Sequence, residues 1–129
     1  MQQLQFEASW EKALAAQDRH NIKKIFNETK HLNSSGIFCS PIRQAVNHKQ
    51  QLLVTVLVHN FTDNPLTFNN TRLVYRTQQQ IIADDKFTLP TLTIPPFVSM
   101  PWTFIFPRLS YTPITESIWE CNLSIILDK

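Results

Sequence analysis

The sequence predicts a mainly β fold, an immunoglobulin-like antiparallel β-sandwich carrying an N-terminal helical segment. Three observations predict it. In residues 52–58, Leu52, Val54, Val56 and Val58 form a wholly apolar face, while Leu53, Thr55, Leu57 and His59 form a mixed one. The last strand repeats the alternation: Trp119, Cys121, Leu123, Ile125 and Leu127 point one way, Glu120, Asn122 and Ser124 the other. A period of two held this long is that of a half-buried antiparallel strand. The third observation is the placing of Pro90, Pro95, Pro96, Pro101 and Pro107 along a β-prone run. Proline lacks a ladder donor, so it belongs at strand starts, bulges and edges, where it also discourages recruitment of other chains. A barrel would give nearly the same pattern.

Taken in order, residues 1–31 read as helical. Ser9 can cap a short helix starting at Trp10, and Asp18 a second one, since an oxygen there accepts the unpaired N–H groups of a first turn. Ile22, Ile25, Phe26 and Thr29 recur at 3/4 spacing and form one apolar stripe, a face meant to lie on a sheet. Asn33-Ser34-Ser35-Gly36 ends the helix, with Gly36 suited to a left-handed turn. Strands are then expected over 37–46, 52–58, 66–68, 72–76, 79–82, 86–94, 98–106 and 119–127. Thr62-Asp63-Asn64-Pro65 is a turn. Short strands at intervals of about 8–12 residues read as a sandwich. The whole chain, 1–129, is one domain, with 1–31 packed on a sandwich of 37–127.

Composition narrows the function. With 129 residues, 43% hydrophobic and 17% charged, the chain has the make-up of a folded domain. It contains one glycine, Gly36, where average usage of about 7% predicts about nine. Phosphate-cradling loops need several glycines for close backbone approach, so P-loop and dinucleotide fingerprints are excluded. A net charge of +2 is too small to argue for nucleic acid. The excess is local: Arg19, Lys23, Lys24 and Lys30 lie together, and on a helix 19, 23 and 30 share one side. Such a face is either simply solvated or docks an acidic protein patch or, peripherally, anionic lipid.

The N-terminus lacks a basic stretch followed by an apolar run, and the longest apolar-rich stretches, 52–58 and 97–107, fall short of the ~20 residues that span a bilayer. The expectation is a cytoplasmic chain. Cys39 and Cys121 then read as buried reduced thiols, although a bridge between them is geometrically open. Five N-x-S/T sequons, at Asn27, Asn33, Asn60, Asn69 and Asn122, read as accidents of Asn/Thr richness.

A search for chemistry returns little. His20, His31, His48 and His59 form no i, i+4 pair, the cysteines are isolated, and no G-x-S-x-G frames a nucleophile. Asp84-Asp85 reads as a polar loop. An enzyme is not expected. What remains is aromatic: Trp102, Phe104 and Phe106 alternate onto one face, either filling the core between sheets or meeting a partner. Thr103 and Ile105, with Phe97 and Met100 before them, form the other face, and an exposed aromatic and Met surface is what an interface core looks like. Trp10 either staples the helix to the sheet or anchors a partner. The candidate protein-binding residues are therefore Trp10, Phe97, Met100, Trp102, Thr103, Ile105, Arg19, Lys23 and Lys30.

Five segments together resemble the SLAP domain family of Gram-positive bacteria of the Bacillus and Listeria kind. They are Ser9-Trp10-Glu11-Lys12-Ala13; Gly36-Ile37-Phe38 leading to Pro41-Ile42; Leu52-Leu53-Val54-Thr55-Val56 leading to Asn60; Phe87 through Leu89-Pro90 to Ile94; and Ser99-Met100-Pro101-Trp102-Thr103-Phe104-Ile105-Phe106-Pro107. The last string is the most specific. The resemblance covers about residues 4–107. It implies a non-catalytic cytoplasmic module associated with an accessory Sec route that exports surface-layer proteins, its partner being a Sec component or an S-layer client. It implies no cofactor and no catalytic residue. The other class open to this sequence is an extracellular or wall-associated adhesion-type sandwich, cut from a larger exported protein.

Overall fold

The computed structural model describes residues 2–30, 36–112 and 121–126. Strand β1 (Gln3–Leu4) is followed by helices α1 (Ala8–Ala13) and α2 (Ala16–Thr29). Then come β2 (Ile37–Val46), β3 (Leu52–Asn60), β4 (Leu66–Arg76), β5 (Ile81–Ile94), β6 (Val98–Phe106), a 3-10 turn at Arg108–Ser110 and β7 (Asn122–Ile126). The fold is mainly β, with 55% of the described residues in strands and 20% helical. Two sheets stack as a sandwich, one in the order β1-β6-β3-β2 and the other β5-β4-β7. The chain changes sheet between β3 and β4, between β5 and β6, and again between β6 and β7.

The core lies where the alternation puts it. Leu52, Val54, Val56 and Val58 stand opposite Phe106, Phe104, Trp102 and Met100 in register, so these eight side chains share the inner face of the first sheet. Against them pack Phe68, Leu73, Tyr75, Ile82, Leu92, Ile94 and Leu123 from the second. Phe87 meets Phe104 and Phe106 edge-on, with centroids 5.8 and 5.1 Å apart, the arrangement ring quadrupoles favour. Tyr75 sends its hydroxyl across to the Gln44 side chain on β2, which satisfies its polar end inside the sandwich.

Several local expectations are corrected. The N-terminus is not helical throughout: Gln3 and Leu4 pair in parallel with Val98 and Ser99, giving β6 a neighbour on its second edge. The α1 cap is Glu7, not Ser9. Ser9 is the second helical residue, and its N–H and hydroxyl both donate to the Glu7 carboxylate, holding that carboxyl below its usual range. Helix α2 starts at Ala16 without a side-chain cap. Asp18 lies in its first turn, where a negative charge meets the positive end of the helix dipole. Gly36 does not adopt the left-handed conformation, which falls instead on Gln50, Asn70 and Phe97.

The segments 66–68 and 72–76 are one strand, β4, whose pairing with β5 slips around Asn69 and Asn70. Of the expected strand 79–82 only 81 and 82 are strand, merged with 86–94 into β5, while 79 and 80 lie in the turn before it; Asp84-Asp85 lies inside β5 rather than in a loop. Asp84 accepts two bonds from the Arg72 guanidinium, at 2.9 and 2.7 Å, on the exposed face. Trp119, Glu120, Leu127 and the expected helix end at Asn33-Ser34-Ser35 lie outside the described residues.

The prolines behave as their chemistry requires. Pro41 sits where the β2–β3 register shifts. The Phe97 and Ser99 carbonyls accept from Gln3 and Gln5 of the β1 segment, and alternation turns position 101 to the same side. Strand β1 ends opposite Ser99, so the donor missing at Pro101 falls just beyond it.

Candidate docking groove

The helical pair covers the outer face of the β1-β6-β3-β2 sheet, but incompletely. Of the α2 stripe only Ile22 is fully buried, while Ile25, Phe26 and Thr29 are half-buried. Between helices and sheet lies a groove of about 440 Å³, within the ~300–1,000 Å³ typical of ligand sites. Trp10 and Leu14 wall it from α1, and Ile22 and Ile25 from α2. Ile42, Arg43, Thr55 and Thr103 form its floor, and Asp18, Asn21, Lys24 and Glu28 its rim. Thr55 and Thr103 face each other in register and their hydroxyls bond at 2.7 Å.

Arg19 fixes the helices that make this wall. Its guanidinium lies 2.9 Å from the Glu11 carboxylate of α1 and 5.0 Å over the Phe6 ring. A partly exposed pair of this kind contributes only about 0–1 kcal/mol.

The structure thus brings together only part of the predicted set. Trp10 and Thr103 line one groove. Met100 does not belong to an exposed face: it stands opposite Val58 on the inner side and is 5% exposed. Trp102 is half-buried and packs against the core. Ile105 and Phe97 are exposed, at 46% and 42%. Phe97 has φ 56°, a left-handed backbone that costs a bulky residue about 1–2 kcal/mol. Arg19 is engaged by Glu11, and the Lys30 ammonium lies 5.8 Å over the Phe26 ring. Lys23 is exposed on α2. Lys24, part of the basic cluster but not of the candidate binding set, and Arg43, which the sequence did not single out, both reach the groove.

Sequence reasoning also missed a polar cluster on the same sheet face. The Ser40 hydroxyl lies 2.8 Å from His59 Nε2, and the Ser99 hydroxyl 2.6 Å from His59 Nδ1. Gln2 Nε2 donates to Ser99 Oγ at 3.0 Å. The imidazole is stacked between Phe38 and Phe61, with centroids 5.8 and 5.4 Å away. Burial disfavours its charged form and lowers its pKa to about 4, so at neutral pH one ring nitrogen donates and the other accepts. The Ser40–His59 spacing is that of a nucleophile and base. Ser40, His59 and Ser99 are all buried, and the cluster ties β2, β3 and β6 together.

Next to it, buried Asn60 shares its amide N–H groups among the Asn64, Ile94 and Pro95 carbonyls and accepts from Thr62, fixing the chain where β3 ends. Among the described residues no three His, Cys, Asp or Glu side chains converge as metal ligands.

The chain is thus a small two-sheet sandwich with a helical pair over an open groove. The chain belongs to the SLAP domain family, whose model matches residues 4–125, nearly its whole length. No curated protein and no solved structure matches it.

Proposed function

We propose that this chain is a non-catalytic protein-binding module that serves accessory Sec-dependent export or assembly of surface-layer proteins from the cytoplasmic side. The observation that carries the binding reading is the groove, where Trp10 and Thr103 meet across an interlayer space lined by Leu14, Ile25 and Ile42. An apolar cleft with a few convergent polar groups is the usual form of a recognition site. Membership of the SLAP family supports the link to accessory Sec and S-layer proteins. The test is deletion of the gene, followed by quantification of surface-layer protein on the cell and in the medium. Export should fall, wild-type chain should restore it, and a Trp10→Ala chain that folds normally should not. Unchanged export after deletion would overturn the export reading.

A further inference from the structure

The two cysteines of the chain stand far apart in the sequence and meet between the sheets. Cys39 pairs with Val58 on β3 and shares its inward side. Cys121 immediately precedes β7 and has the parity of Leu123, which pairs with the inward Tyr75. Both are buried, at 5% and 7% exposure. Strand β2 is an edge of the first sheet and β7 an edge of the second, and these two edges touch on the same side of the sandwich.

One cavity of about 10 Å³ carries both cysteines on its wall, with Pro41, Val54, Val56 and Tyr75. That is room for at most one water. The Tyr75 hydroxyl spans the same gap: it donates to Gln44 on β2 and lies in hydrogen-bonding contact with Cys121. Two cysteines directed into one space of this size have what a disulfide first requires, side chains that point at each other over a short distance.

We propose that Cys39 and Cys121 are a disulfide-forming pair, a reversible modification site that ties β7 to β2 under oxidising conditions. Strand β7 has most to gain. Among the described residues it pairs only with β4, over five residues, whereas β3 is held on both sides. A short edge strand opens more readily than a central one, and its opening brings both thiols to solvent. A small-molecule disulfide such as oxidised glutathione is the oxidant. The Cys121 thiol attacks it, releasing one small thiol and leaving a mixed disulfide; the Cys39 sulfur then attacks the Cys121 sulfur and displaces the second. Two S–H bonds are lost and one S–S bond forms, and both hydrogens and both electrons leave on the two small thiols. Burial disfavours the Cys39 thiolate in the closed sandwich, which confines the exchange to the opened strand in either direction. In a reducing compartment the pair stays as thiols.

The test equilibrates the full chain with mixtures of reduced and oxidised glutathione, with and without urea, followed by alkylation and mass spectrometry. At one glutathione ratio, the proportion of internal disulfide to dithiol should be higher in the folded chain than in urea by roughly 100-fold or more. Hydrogen exchange of the β7 amides should slow at least tenfold in the oxidised chain, while that of the α2 amides stays unchanged. A proportion no higher than in urea, glutathione adducts or linked dimers in place of the internal bond, or a bond that leaves β7 exchange as it was would each overturn the proposal. Neither the groove nor the export reading enters these outcomes.

Discussion

His59 Nδ1 and the Ser99 hydroxyl lie 2.6 Å apart, opposite each other on neighbouring strands and both fully buried. An ionisable ring in that position makes stability depend on pH. In the unfolded chain histidine titrates near 6.5, whereas burial lowers the folded value to about 4. The unfolded state therefore takes up the proton first as pH falls. Stability should be level above pH 6.5 and fall by about 1.4 kcal/mol per unit towards pH 4, a total on the order of 3 kcal/mol. Urea unfolding at half-unit steps between pH 7 and 4.5 measures this, and a flat profile would refute it.

Phe97 holds a backbone conformation that glycine adopts freely. Phe97→Gly should therefore be more stable than Phe97→Ala by about 1 kcal/mol, the reverse of the usual order in strands. Thermal unfolding of both variants decides it. If alanine is equal or better, the strain assigned to this turn is absent.

Cys39 and Cys121 are both buried with no disulfide between them, and they line the same small cavity between the sheets. Burial pushes the Cys39 thiol up to about 12, so almost no thiolate exists at pH 8. A thiol-reactive dye should label Cys39 in the native protein at least 100-fold more slowly than in urea. Protein purified from cells with the thiols already joined would instead favour an extracellular setting.

Trp102 and Thr103 are adjacent, yet they point to opposite sides of β6 and should separate in mutagenesis. Trp102→Ala removes a half-buried ring from the core and should cost about 2–4 kcal/mol. Groove binding should be unchanged where the chain remains folded. Thr103→Val breaks the bond to Thr55 and should cost about 1 kcal/mol of stability while weakening binding. Paired denaturant and export-complementation measurements would show whether the two effects divide this way.

Much of the fold is legible in the sequence because it follows from local period. The apolar face of β3 and the Trp102-Phe104-Phe106 face of β6 can be read directly, and both point to the core. The parallel strand at Gln3–Leu4 could not be read, since two residues carry no period and their pairing depends on a strand almost a hundred residues away. The same limit hid His59. Its partners Ser40 and Ser99 are 19 and 40 positions distant, and no spacing rule joins them. Met100 has the parity of Trp102, Phe104 and Phe106, so alternation by itself places it on their inner face, and grouping it with Thr103 and Ile105 broke that period. The groove arises where two helices cover three strands unevenly. Trp10 and Thr103 drew notice as residue types, but their meeting is a tertiary fact.

The order of the strands also has a consequence in time. Strand β3 is central in its sheet, and its second neighbour is β6, so Leu52 waits for Phe106, 54 residues later. At a synthesis rate of ~5–20 residues per second, the β2–β3 hairpin is exposed on one edge for some seconds on a ribosome. During that interval the unpaired row Leu52-Val54-Val56-Val58 is an aggregation hazard. A holding factor that acts on nascent chains should therefore raise the soluble yield most when it engages before residue 98 has emerged.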